Sequence, residues 1–323
     1  MPHSMRRACA LAVLFFIAGA ASAQNYPSRP IRLLVPFPAG GGADTLARIF
    51  APKLGEALGQ QVIVDNRAGG GGNIALEIVA KAAPDGYTLI LPLNSLLTVN
   101  PSMYSNLPFS VEKDLQPITQ LSSSQHILLL YPGLNVSSVK DLLALAKAKP
   151  GTLTYASAGV GSTAHLGAEL LKWRGGVDIT HVPFKGASPG VIATMSGEVQ
   201  MTFASVAAAL QFMQAGKLKG LAVTSLKRAP TAPELPTLDE AGLKGFNVIS
   251  WHALLAPAKT SAAIVNKLHS AALGLAKQPV IMEAMARQGM EVTTNEPAAL
   301  AAMIKAETSM WRDVIKAANI RAE

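Results

Sequence analysis

Short apolar runs alternate along this chain with stretches in which apolar residues recur at three- and four-residue spacing. The run 31–35 is rich in branched residues and stops at Pro36-Phe37-Pro38, where proline cannot donate to a strand ladder. Ala39-Gly40-Gly41-Gly42 reads as a loop, with Asp44 or Thr45 as the expected N-cap of a helix carrying Leu46, Ile49, Phe50 and Leu54 on one face. Pro52 interrupts that face, so a kink or restart is expected there. The same grammar predicts strands at 61–64, 87–91, 126–131, 153–158, 179–183, 199–203, 221–224 and 248–255. Helices are predicted at 74–82, 139–148, 164–173, 262–276 and 297–317. Glycine loops are expected at 67–73 and 159–163, and the three prolines of 227–236 predict an exposed loop. Trp173 and Trp311 fall on helical faces and are expected in the core. Strands alternating with helices from end to end predict an α/β protein with parallel sheets built from βαβ units.

The first residues do not fit this pattern. Arg6 and Arg7 precede an apolar run from Ala8 to Ala20, and Ala21-Ser22-Ala23 has the small-x-small form of a cleavage site. A bilayer span needs about 20 apolar residues, so the run reads as a signal peptide, residues 1–23, cleaved after Ala23. Export to the periplasm follows from that reading.

Composition narrows the function. The chain has 323 residues, 50% hydrophobic and 15% charged, with a formal net charge of +8 and one cysteine. Cleavage would remove Cys9 and the two charges of Arg6 and Arg7, leaving a cysteine-free protein with no disulfide and no multi-cysteine metal site. No histidine spacing suggests a metal, no cofactor is implied, and the scattered Lys and Arg residues form no nucleic-acid stripe.

Two strand–glycine loop–helix junctions, 36–45 and 157–165, carry the strongest local chemistry. Free N–H groups of a helix's first turn and the helix dipole together favour an anion, and glycine lets its oxygens approach the backbone. Ser157, Ser162 and Thr163 add hydroxyls at the second loop. Two sharper motifs compete. Gly159-Val160-Gly161-Ser162-Thr163-Ala164 fits a dinucleotide fingerprint with Asp178 downstream, but it starts mid-chain in a protein that reads as exported. Gly186-Ala187-Ser188-Pro189-Gly190 fits a nucleophile elbow, with Asp239 and His252 following. Pro189 lacks the N–H that the oxyanion hole of an exported serine hydrolase would need, so Ser188-Pro189 reads better as N-cap and N1 of a helix.

Several blocks, in order, resemble the Bug family of extracytoplasmic solute receptors, the binding components of tripartite tricarboxylate transporters. They are VPFPAGGGADTLAR (35–48), VIVDNRAGGGGNI (62–74), APDGYTL (83–89), NPSMY (100–104), LTYASAGVGSTAHL (153–166), HVPFKGASP (181–189) and LAVTSLKRAP (221–230). The resemblance implies a type II periplasmic-binding-protein fold, two Rossmann-like lobes with a ligand cleft between them. One lobe would comprise 24–124 plus 247–323 and the other 125–246. It implies a monomeric, non-enzymatic receptor whose partners are a small organic carboxylate and integral-membrane transporter subunits; a sensor subunit without transport is the alternative. By matching position the ligand would meet Pro38, Ala39, Gly40, Gly41, Asp44, Asn94 and Ser95 on one side. On the other it would meet Ser157, Gly159, Gly161, Ser162, Thr163, Phe184 and Ser205. Leu93 and Ala204 stand where relatives often carry polar residues, and His252 where an aromatic is common. The distal pocket is therefore expected to be less polar, suiting an aromatic or otherwise partly apolar carboxylate.

Overall fold

Strand β1 (Ile31–Val35) buries four of its five side chains. It can do so because helices cover both faces: Leu33 and Val35 pack with Leu46 and Leu268 on one face, and Leu34 with Leu76 and Leu300 on the other. Its parallel neighbours β2 (Val62–Asn66) and β3 (Thr88–Ile90) satisfy its backbone. The computed structural model describes residues 26–321, so the expected signal peptide lies outside the described residues. Two further strands, β4 (Leu115–Ser124) and β10 (Ser250–Pro257), run antiparallel to each other, and β10 meets β3. With β11 (Glu291–Val292) they complete a six-stranded sheet of order β11-β4-β10-β3-β1-β2.

A second sheet has five strands in the order β7-β6-β8-β5-β9. Its members are β5 (His126–Leu130), β6 (Thr154–Ser157), β7 (Thr180–Pro183), β8 (Met201–Ser205) and β9 (Lys219–Val223). Strands β6, β7 and β8 pair in parallel and β5 runs antiparallel to β8 and β9. Separate apolar cores pack on the two sheets: Leu46, Phe50, Leu54 and Leu268 against the first, Leu142, Leu170, Met201 and Phe203 against the second. The Pro297–Ala317 helix joins them. Leu300 and Ile304 sit in a core of the first sheet, whereas Trp311, Val314 and Ile315 sit in that of the second.

Several local expectations need correction. The Gly42–Leu58 helix runs through Pro52 without a restart. Pro52 faces solvent, so water can satisfy the Arg48 carbonyl that its missing N–H releases. The N-cap is Gly41, and Asp44 sits in the first turn. Ser188 lies inside the Ala187–Ser196 helix, whose N-cap is Gly186. Trp173 is 43% exposed, covered on one face by the Arg174 guanidinium at 4.8 Å, and only Trp311 joins the core. The 227–236 segment is pinned by buried Ala229, Ala232 and Leu235 against the second sheet.

Candidate functional site

Both glycine loops open onto one cleft between the sheets. A cavity of about 840 Å³ is lined by Phe37, Leu93 and Ser95 from the first sheet's side and by Ser157, Gly161, Ser162 and Thr163 from the second's. A neighbouring cavity of about 490 Å³ is lined by Pro38, Ala39, Gly41, Ser124 and His252. Phe37, Leu93, His126 and Ser205 line both, which makes the two cavities one continuous cleft.

The first loop ends at an open helix. No side chain caps the Gly42–Leu58 helix, so its first N–H groups are left for water or an anion. Asp44 instead organises the loop behind it. Its Oδ2 accepts from the Gly40 N–H at 2.8 Å and from Arg48 Nε at 2.9 Å. Those bonds, Arg48 first, lower its pKa to about 2 despite burial. Asn66 extends the bracing, donating to the Phe37 carbonyl at 3.1 Å.

The second loop is self-tied. Ser157 Oγ accepts from the Gly159 N–H at 3.1 Å, and Ser162 Oγ donates to the Gly159 carbonyl at 2.7 Å. The Gly161 N–H donates to His165 Nδ1 at 3.2 Å, and Gly161 holds φ +78°, a left-handed backbone that favours glycine. Ser162 then caps the Thr163–Gly175 helix through the His165 N–H. Across the cleft, Thr163 Oγ1 lies 2.9 Å from Ser250 Oγ. Two more helices, Ala187–Ser196 and Val206–Gln214, start beside the cleft without a side-chain cap.

Among the described residues, neither cavity is lined by Lys, Arg, Asp or Glu. The two lining histidines are neutral near pH 7, because burial lowers His126 and His252 to about 4. An anion here would be held by backbone N–H groups, hydroxyls and helix dipoles without an opposing formal charge. Apolar side chains form most of the remaining wall, among them Met103, Val160, Ile192, Met195, Phe203 and Phe212.

Nine of the residues expected from sequence line the cleft: Pro38, Ala39, Gly41, Ser95, Ser157, Gly161, Ser162, Thr163 and Ser205. Gly40, Asp44, Asn94, Gly159 and Phe184 stand outside both linings. Gly40 and Gly159 shape the loops through the bonds just described. Asn94 is spent on the backbone of 249–251, donating to the Ile249 carbonyl at 3.0 Å and accepting from the Trp251 N–H at 3.4 Å. Phe184 packs behind the second loop with Ala156, Ala193 and Val199. Sequence reading missed His126, whose buried Nδ1 has no partner, and the apolar wall contributed by the Val206–Gln214 helix. That helix spans only nine residues and follows strand β8 with no intervening turn signal, so it was not separated from the strand by pattern.

Two α/β lobes facing each other across a cleft define a type II periplasmic-binding-protein fold, the architecture of a solute receptor. The tripartite tricarboxylate transporter family receptor model matches residues 46–320, and the chain belongs to that family. It is similar to R. palustris Rpa4515, solved with adipate, at 35% identity and TM-score 0.76, covering 92% of this chain and 99% of that one. The periplasmic binding protein BugD is 34% identical with TM-score 0.73, over 92% of this chain and 100% of that one. MatC from Rhodopseudomonas palustris, with bound malate, is 31% identical with TM-score 0.73, over 90% of this chain and 100% of that one.

Proposed function

We propose that this receptor works in the periplasm, after cleavage behind Ala23, as a monomer that captures a small organic carboxylate with an apolar or aromatic body. It would then present the ligand to integral-membrane transporter subunits. The carrying observation is the cleft's composition: an open helix start at the first glycine loop, hydroxyls at the second, an apolar wall around the remaining space, and no charged side chain in the lining. A carboxylate matches the first feature, a hydrocarbon body the second. The adipate bound to Rpa4515 has both. An ammonium group would find no carboxylate partner in this lining, which argues against amino acids.

The lobes would be 24–124 plus 247–323 and 125–246, and closure would be a hinge motion between them. This division is supported by the first sheet's strands falling within 31–124 and 250–292 and the second's within 126–223. The ligand carboxylate would sit between Pro38–Gly41 and Ser157–Thr163. Binding without turnover is part of the reading: Pro189 has no N–H to offer an oxyanion hole beside Ser188, and His252, the histidine of the nucleophile-elbow motif, shares a 3.0 Å hydrogen bond with Ser122.

Calorimetric titration with benzoate, phenylacetate, adipate, malate and citrate tests the assignment. The expected result is tighter binding of benzoate-type acids or adipate than of malate or citrate. Tight citrate binding, with no binding of aromatic acids or adipate, would overturn it.

A further inference from the structure

Behind the second glycine loop lies a cluster of side chains that the binding role does not itself require. His181 Nε2 lies 2.6 Å from Ser157 Oγ, and Ser157 lines the cleft. The imidazole stacks on Tyr155 with ring centroids 4.8 Å apart and lies 4.4 Å from the ring of His165. Tyr155 donates its hydroxyl to Glu169 Oε1 at 2.7 Å, and Lys172 Nζ pairs with the same oxygen at 2.8 Å.

The hydroxyl's single proton decides what Ser157 can offer a ligand. Ser157 Oγ already accepts from the Gly159 N–H. When Nε2 of His181 carries no proton, the serine O–H is drawn to that nitrogen and a lone pair is left toward the cleft. When Nε2 carries a proton it donates to Oγ, and the serine O–H is released to the Gly159 carbonyl 3.2 Å away, from which a bound carboxylate, the stronger acceptor, can draw it. A doubly protonated imidazolium does this with a positive charge two hydrogen bonds from the anion, in a cleft otherwise lacking cations.

We propose that His181 is a positioning residue that couples ligand capture to proton uptake: a carboxylate accepting from Ser157 stabilises the protonated His181 behind it. This rests on the carboxylate site proposed above. In the free protein burial holds His181 below its usual pKa, with Glu169 raising it and Lys172 lowering it, so the ring starts neutral. A bound anion opposes the burial effect. Affinity then rises as pH falls through the liganded protein's His181 pKa and levels off below that of the free protein.

The groups facing His181 separate this effect from others. Tyr155 stays neutral, because burial and Glu169 raise its pKa. His165 accepts from the Gly161 N–H, so its Nδ1 must be unprotonated for the loop to hold. Burial and then His181 lower His165 to about 4, and its protonation would weaken binding, the opposite sign at a lower pH.

The test is calorimetry with benzoate and adipate at about pH 8 and about pH 6, in buffers of different ionisation enthalpy. Wild type should bind several-fold tighter at the lower pH and take up a proton. His181→Gln keeps an Nε2 donor to Ser157 without titrating, and should bind with affinity flat in pH and no proton uptake. Wild-type binding that is flat in pH, or a slope that survives in H181Q, would overturn the proposal while leaving the carboxylate site standing. Absence of carboxylate binding at either pH would sink the site reading and the relay together. Should H181Q fail to fold, the wild-type His181 ring followed by nitrogen-15 NMR decides: its pKa must rise on adding the bound acid, and an unchanged pKa overturns the proposal.

Discussion

Thr163 and Ser250 share a hydrogen bond of 2.9 Å between their hydroxyls, and it joins the first residue of a cleft helix to the first residue of β10. The two residues belong to elements of different sheets, so the bond holds the second glycine loop in register with the opposite wall. Thr163→Val keeps the shape and removes the hydroxyl. The loss should be about 1 kcal/mol of stability, the net value of such a bond. Calorimetry should also show affinity for the bound acid falling several-fold, whereas an unchanged Kd would mean the contact does not position the loop.

Asp44 gives the first loop an acid limit. Its pKa is lowered from 3.8 to about 2, so its contribution is full above 3.8 and fades as pH falls toward about 2. Asp44→Asn should cost about 1–2 kcal/mol at neutral pH, the range of a hydrogen bond to a charged group. Denaturation at about pH 3 should show a smaller penalty than at neutral pH.

Glu307 behaves in the opposite sense. It accepts from Trp251 Nε1 at 3.0 Å, its Oε2 is buried without a partner, and burial raises its pKa from 4.5 to about 7, with Trp251 and Asn94 partly opposing. A carboxyl raised on folding destabilises in its charged form, so the penalty is absent below 4.5, grows through about 7 and is complete above it. Glu307→Gln should therefore stabilise the protein by about 1 kcal/mol at about pH 8, less than one pKa unit's worth, with little gain at about pH 5. Urea melts at the two pH values check this.

Much of the architecture was legible because local and tertiary preferences agree. The helices at Val139–Ala148, Ala262–Ala276 and Pro297–Ala317 start after Ser138, Ser261 and Glu296 and end where the apolar spacing ends. Strand β4 was not legible. Its Leu-Gln-Pro-Ile-Thr-Gln-Leu-Ser-Ser-Ser sequence is half polar and includes Pro117, and its pairing depends on distant partners: Asn295 accepts from the Gln120 N–H and Thr119 donates to the Asn295 carbonyl. The glycine loops announced the site, since their residue types follow from backbone chemistry alone. Which of the expected residues face the cleft was hidden, because Asp44 and Asn94 turn to bonds inside their own walls.

Leu93 lines both cavities and is part of the apolar wall. Leu93→Thr places a hydroxyl on that wall. Affinity for malate relative to benzoate should rise about tenfold, some 1.4 kcal/mol, in parallel titrations. No change in that ratio would mean the ligand body does not touch Leu93.

Gly289 holds φ +69°, and a Cβ there would come within 2.7 Å of the Ala207 Cβ on the Val206–Gln214 helix. The two walls of the cleft are therefore packed backbone to side chain at this point. Gly289→Val should cost a few kcal/mol from backbone strain and overpacking, and force the walls apart. Small-angle scattering with the bound acid present should show a more open particle than wild type.

The ligand proposed for the cleft is an organic carboxylate, held by backbone N–H groups and hydroxyls while an apolar wall surrounds its body. Mass spectrometry of the small molecule released on denaturing protein purified from the cells that naturally make it tests this. The expected molecule is a carboxylic acid with a hydrocarbon or aromatic body and no amino group. Recovery of an amino acid, a sugar or a cation as the stoichiometric ligand would contradict it.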